Sequence, residues 1–409
     1  MNTPALRSCL FVAAALIGCG PAQSTVESVA DDVSIDNSLS HARGAGRACD
    51  AAHPCQAGLS CLAQSGAGEV CVPPAPLALT SHGGPVLRGM NVWTVVWQGD
   101  EAAGQAMNAF TGLVLRSDYW ASTTGEYGVG QGTAQGVIVL GASAPATLGS
   151  GNFNLLVPSL PGSTTLSGTV VPAPDANTVF AFLVPKGTRE AGGYYHDEST
   201  QLVPSASGNP IRVPFIVVRQ DSVGFVSDQD YLTWSLTHEL AETATDPLCN
   251  DDLAWYAYGE EVGDICNDIP VWQSLQDMNT YALTRVWSVA RASANAGDPC
   301  FPGLGRPYAN VVLEDAVAVL PPGVGESTQV QLVPFSYGGS LTMHWSLQVS
   351  AAFSALPAQG DLTPGQTASV KITRSSPGPR SILQILVDNP ATPNANIPEQ
   401  EYFGFVSPN

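Results

Sequence analysis

The spacing of apolar residues divides the chain into segments of different kinds. Residues 91–97 form a β-branched and aromatic run closed by Gly99, and residues 136–140, 179–184 and 214–218 are similar short apolar runs. Each predicts a buried strand. Residues 101–116 carry Met107, Phe110 and Val114 on one side and predict a helix. A second helix is predicted where Leu232, Leu236 and Leu240 recur every four residues. Ser227 with Asp230 can open it as a capping box, and Pro247 stops it. Between the third and fourth strands, residues 192–197 (Gly-Gly-Tyr-Tyr-His-Asp) are expected to be a loop. Mixed strands and helices in this order predict an α+β domain over residues 80–302 rather than a regular βαβ repeat.

After a Gly- and Pro-rich linker at residues 302–307 the pattern changes. Short alternating segments at 309–313, 327–333, 341–349, 367–372 and 381–387 are separated by Gly, Pro and Asp turns. They predict an all-β immunoglobulin-like sandwich over residues 308–409 that folds independently of the preceding domain. His344 falls inside one of these strands and is expected to be an ordinary strand residue.

The N-terminal region has a different logic. Arg7, an apolar run from Cys9 to Gly18, and Leu16-Ile17-Gly18-Cys19 fit a lipoprotein signal peptide over residues 1–18, with Cys19 as the lipidated residue. Residues 19–47 are polar and predict a flexible tether. Residues 48–72 hold Cys49, Cys55, Cys61 and Cys71 among Gly, Pro and Ser, and predict a small disulfide module. A four-Cys zinc site is the rival, without close Cys-x2-Cys pairs to support it. Cys249, Cys266 and Cys300 are odd in number, so one is expected to be unpaired. The expected location is the bacterial cell envelope, with the lipid as the membrane contact, or secretion.

Charge narrows the partners. A formal net charge of −20 with 15 Lys and Arg in 409 residues excludes nucleic acid as an expected partner, because phosphate binding needs clustered cations. Charged residues are 12% of the chain, so local acidic concentrations stand out.

The densest concentration lies on the second predicted helix, as His238-Glu239-Leu240-Ala241-Glu242 followed by Asp246. His238 and Glu242 are four residues apart and project from one helix face. In a His-Glu-x-x-His helix this spacing supplies two zinc ligands, and the intervening Glu takes a proton from the metal-bound water. Here Glu242 replaces the second His. The motif predicts His238 and Glu242 as metal ligands and Glu239 as the catalytic base, with a solvated polar helix face as the alternative. A third ligand is sought among Asp264, which we place first, Asp246, Glu261 and His196. Zinc suits His238, whereas calcium suits the carboxylates. His196 is equally readable as an exposed loop His, and His82 receives no role. Ser235 lacks a visible oxyanion hole and orienting acid. Gly128-Val129-Gly130-Gln131-Gly132 lacks the Lys of a phosphate-binding loop and reads as a turn.

Several ordered motifs also resemble the EXORDIUM or phosphate-induced-protein family, in its bacterial branch. They are His82-Gly83-Gly84-Pro85, Trp97-Gln98-Gly99, Ser117-Asp118-Tyr119-Trp120 with Glu126-Tyr127-Gly128, the Gly-Tyr-Tyr-His loop, residues 238–247, Glu261-Val262-Gly263-Asp264-Ile265-Cys266, Trp287-Ser288 and Cys300. The resemblance covers roughly residues 80–300. It implies an extracellular domain, a zincin-like fold, and a Cys266–Cys300 pair that leaves Cys249 over. Plant members lack the His-Glu-x-x-Glu residues that this chain keeps, so the resemblance implies no particular reaction. Two functions are therefore expected: a surface zinc metallohydrolase acting on peptide or cell-surface substrates, or a non-catalytic extracellular binding or signalling protein. A structural calcium site is the third reading.

Overall fold

The computed structural model describes Ser60–Gln64, Gly68–Val72 and residues 79–408 apart from 191–192, 222–226, 257–260, 267–269, 295–297, 306–307, 314–316, 321–322, 338–341, 350, 377–380 and 389–399. The expected signal peptide, tether, Cys19, Cys49 and Cys55 lie outside the described residues, as do the side chains of Cys61 and Cys71. The two early strands pair antiparallel, with Cys61 opposite Cys71 in register. The described chain is mostly β-sheet with few helices. Among the described residues no helix is long and apolar enough to cross a membrane.

Five strands form the sheet that carries the site: β1 (Asn91–Trp97), β2 (Thr133–Leu140), β3 (Thr178–Val184), β4 (Tyr195–Glu198) and β5 (Pro214–Arg219). Their spatial order is β2-β1-β3-β5-β4. The first four run parallel, and β4 pairs antiparallel to β5 at the edge. The helix α1 (Glu101–Val114) connects the parallel pair β1 and β2, a local βαβ crossover that the expectation of an unrepeated α+β order did not include.

Alternation along the strands supplies two cores. Val92, Val96, Val179, Ala181, Leu183, Ile216 and Val218 join one core with α1 and with α2 (Asp228–Thr245). Trp93, Val95, Trp97, Phe180, Phe182, Phe215 and Val217 join another core on the opposite face. Burial on both faces explains why the strands read as continuous apolar runs rather than as alternating ones.

The predicted loop at residues 192–197 is corrected in its second half, because Tyr195–Glu198 is the edge strand β4. His196 lies opposite Ile216 in register, so it faces α2, while Tyr195 belongs to the other core. The strand is short and carries two charged residues, which masks the period-two pattern.

Nine further strands build the C-terminal region: β6 (Tyr308–Leu313), β7 (Val317–Leu320), β8 (Ser327–Tyr337), β9 (Met343–Val349), β10 (Phe353–Leu356), β11 (Gln359–Leu362), β12 (Ala368–Arg374), β13 (Ser381–Asp388) and β14 (Gln400–Pro408). They form a four-stranded sheet, β6-β8-β12-β10, and a five-stranded sheet, β7-β14-β13-β9-β11. Buried residues of both, including Val311, Val330, Ile372, Trp345 and Ile385, share one core, which makes this region a β-sandwich. His344 lies in β9 and pairs with Asp361 at 2.8 Å. The sandwich does not stand apart, because its first strand contacts the turn next to the candidate site. The Trp287 ring packs edge-on against Tyr308 at 5.2 Å and Tyr337 at 5.4 Å.

Candidate metal centre

Helix α2 begins as the sequence implies: Ser227 Oγ accepts from the Asp230 backbone N–H at 3.1 Å. Asp246 is its C-cap residue and Pro247 follows. It is unlike an ordinary surface helix, because every residue from Thr233 to Thr245 is buried. Burying so many polar groups is costly unless each is satisfied. Three threonines are satisfied on the helix itself, Thr237 Oγ1 donating to the Thr233 carbonyl at 2.9 Å, Thr243 to Glu239 at 2.6 Å and Thr245 to Ala241 at 2.9 Å, while Thr233 Oγ1 donates to the Ala282 carbonyl at 2.9 Å. His238 and the acids cannot use this device. His238 Nδ1 and Glu239 Oε2 are buried without a hydrogen-bond partner.

Two His and five carboxylates converge here. His238 Nε2 lies 3.0 Å from Glu242 Oε1 and 3.3 Å from Asp264 Oδ1. Ligands about 2.0 Å from a tetrahedral zinc are separated by roughly 3.3 Å, so this spacing suits a shared ion as well as hydrogen bonds. Asp264 sits on a short turn, Asp264–Cys266, whose first backbone N–H donates to Glu242 Oε1 at 3.0 Å. Asp264 Oδ2 accepts from the Glu261 N–H at 3.2 Å. Gly263 permits the approach of this turn: a Cβ there would lie 2.7 Å from Glu242 Oε1 and 3.0 Å from His238 Nδ1. The rings of Tyr194 and Trp234 flank His238 at 5.2 and 6.0 Å. They hold the imidazole in place of the Nδ1 hydrogen bond that commonly orients a metal-bound His.

His196 approaches from β4. It is 2% exposed, which corrects its reading as an exposed loop residue, and its Nε2 lies 2.9 Å from Glu261 Oε2 and 4.0 Å from Glu242 Oε2. Among the described residues, His238, Glu242 and Asp264 form one group with ligand atoms within 4.8 Å of one another, and His196, Glu239 and Glu242 form another. Glu261 therefore stands beside His196 rather than with His238. Asp246, the remaining candidate, belongs to neither group; its Oδ1 accepts from the Ala254 N–H at 2.8 Å.

Electrostatics match this crowding. Burial, then repulsion from Glu242, pushes the Glu239 carboxyl well above the ordinary carboxylate range, against the pull of His238 and His196. Burial and Asp264 raise Glu242, and burial and Glu261 raise Asp246 strongly. For His238, burial is the largest single influence and draws the pKa down, but Glu242, Asp264 and Glu239 together hold it well above its usual value. Among the described residues, no Lys or Arg forms an ion pair with Glu239, Glu242, Asp246 or Asp264. These His and carboxylate groups could hold a metal ion.

A third convergence, Asp197, Glu198 and Cys249, lies nearby. Cys249 is disulfide-bonded, so its sulfur is not a thiolate ligand. That bond also overturns the expectation that Cys249 is left over. Cys266 and Cys300 form a disulfide, which anchors the Asp264 turn. His82 Nε2 lies 3.0 Å from the Tyr256 carbonyl, away from these groups. Ser235 Oγ donates to the Leu232 carbonyl at 3.3 Å.

No protein-family model matches the chain, and no curated protein matches it in sequence. Solved structures similar to part of it include WR4, a C. elegans MSP family member, at 12% identity over 25% of this chain and 97% of that one, with a TM-score of 0.21. SSP-19, an MSP-domain protein like family member of Caenorhabditis elegans, is similar at 18% identity over 22% of this chain and 94% of its own, with a TM-score of 0.18. The ASH/PapD-like domain 7 of human CEP192 is similar at 16% identity over 24% and 83%, with a TM-score of 0.20. At these scores the likenesses have no bearing on function.

Proposed function

We propose that the chain is a zinc-dependent hydrolase of the cell surface, most simply a peptidase, in which His238, Glu242 and Asp264 hold the ion and Glu239 is the base. The observation that carries this reading is the spacing of His238 Nε2 from Glu242 Oε1 and Asp264 Oδ1, 3.0 and 3.3 Å, with Glu239 buried beside them. Zinc, when bound, acidifies a water ligand. Glu239 would receive the proton, and burial with repulsion from Glu242 raises its basicity above that of an ordinary carboxylate. His238 supports zinc over calcium. The mixed sheet with an antiparallel edge strand beside the helix supports a zincin-like core, and the resemblance of the short motifs to EXORDIUM proteins supports an extracellular setting. Cys19 would carry the lipid, and Cys19→Ala would then release the protein from membranes.

One observation favours a second reading. His238, Glu239 and Glu242 are 1–2% exposed, and Asp264 is 9% exposed, so these groups are almost entirely shielded from solvent. A closed, structural metal site fits that burial. Metal content and hydrolysis of a broad peptide library, measured for the unmodified protein and for His238→Ala, separate the readings. Zinc with cleavage, both lost in the variant, supports the hydrolase. Zinc or calcium without cleavage supports the structural site, and no metal in the unmodified protein overturns both.

A further inference from the structure

Glu242 directs its two oxygens at two different imidazoles. Oε1 lies 3.0 Å from His238 Nε2, and Oε2 is 4.0 Å from His196 Nε2. The two groups of possible ligands, His238 with Asp264 and His196 with Glu239, share this residue and no other. A carboxylate placed in this way is suited to bridge two cations about 3.5–4 Å apart.

We propose that the cluster binds two divalent transition-metal ions, bridged by Glu242, with the second held by His196 and Glu239. The inference rests on the first position proposed above and adds a second beside it. Glu239 is 2% exposed and its Oε2 has no hydrogen-bond partner, so a buried ligand atom in the second group is unsatisfied by the protein. Glu239 can ligate through one oxygen and accept a proton on the other, so its role as base is kept. Glu261, 2.9 Å from His196 Nε2, adds a further negative charge at this position.

The charge of the cluster is compatible with a second ion. Glu239, Glu242, Asp246 and Asp264 are all buried or nearly so, and among the described residues none of these four pairs with Lys or Arg. Each bound dication would compensate two of these carboxylates in a site of low dielectric. Uncompensated buried charge is among the most expensive arrangements in a protein. The register of β4 against β5 is what turns His196 toward α2, so the second position depends on the edge strand and not on the helix motif.

The test uses the purified chain, stripped of metal and reloaded with zinc, with bound metal counted per chain by mass spectrometry. The expected result is two zinc ions in the unmodified protein, one in His196→Ala and one in Glu239→Gln. One ion in the unmodified protein, unchanged in His196→Ala, would overturn the second position and leave the first standing. No bound zinc would overturn both. Because a buried His variant can fold poorly, cobalt titration of the unmodified protein gives an independent measure. A second equivalent should attenuate the paramagnetic resonance signal of the first through exchange across Glu242, whereas strictly additive signals would refute the bridge.

Discussion

The Tyr308 hydroxyl donates to the Ile265 backbone carbonyl at 2.8 Å, joining the first strand of the sandwich to the turn that carries Asp264. Trp287 strengthens this link, its backbone N–H donating to the Val262 carbonyl at 2.8 Å while its ring contacts Tyr308 and Tyr337. Tyr308→Phe should therefore act on the metal centre from outside it. Loss of a buried hydrogen bond costs about 1 kcal/mol, and the orphaned carbonyl adds to that. We expect a lower melting temperature and zinc affinity weakened about three- to tenfold, measured by chelator competition. A lower melting temperature with unchanged affinity would make the contact purely structural.

Glu239→Gln tests the proposed base while leaving the His238 position its ligands. The amide keeps the size of the side chain but cannot accept a proton, and loss of a general base lowers rates on the order of a hundredfold to ten-thousandfold. The ion at His238 should stay while peptide hydrolysis falls by that factor. Unimpaired hydrolysis would remove Glu239 from the mechanism.

Gly263 offers a steric test that leaves every ligand in place. In Gly263→Ala the added Cβ would meet Glu242 Oε1 at 2.7 Å and His238 Nδ1 at 3.0 Å, so the turn and the helix must separate. Overpacking of this kind costs about 1–3 kcal/mol. The variant should remain folded by circular dichroism yet lose most of its zinc; full zinc occupancy would show that the turn does not need this close approach.

Glu198 predicts a pH dependence of stability. Burial, then repulsion from Asp197, raises its pKa from 4.5 to about 7, against the Asn250 amide 3.1 Å away. The folded-state pKa exceeds the unfolded one, so the contribution of the protonated acid is complete below pH 4.5 and is lost as pH rises through about 7. That gap corresponds to roughly 3 kcal/mol. Glu198→Gln should gain stability relative to the unmodified protein between pH 5 and pH 8 in denaturant melts. Parallel pH profiles would show that Glu198 does not titrate in this range.

Local features of this chain were legible in its residue order. The cap at Ser227, the stop at Pro247 and the shared face of His238 and Glu242 follow from helix geometry, which relates residues three or four apart. Runs such as residues 91–97 and 179–184 were recognisable because burial on both sheet faces leaves few polar positions in them. The C-terminal segments showed their β character through period-two alternation, although β7, β10, β11 and β14 were too short or too irregular to stand out.

Tertiary structure alone decided which acids stand beside which His. His196 and Glu261 are 65 residues apart, and only the crossover order β2-β1-β3-β5-β4 and the antiparallel register of β4 bring them to 2.9 Å. Nothing periodic marks that pairing. Asp264 was placed ahead of Glu261 and Asp246 with no spacing rule behind the order, and the close approach at Gly263 is what lets its turn close over His238 and Glu242. The tie from Tyr308 to Ile265 was hidden for the same reason, since a contact between two folding units leaves no local pattern in either. Sequence determines elements through short-range geometry, whereas this centre is assembled from a helix, an edge strand and a turn whose meeting depends on long-range packing.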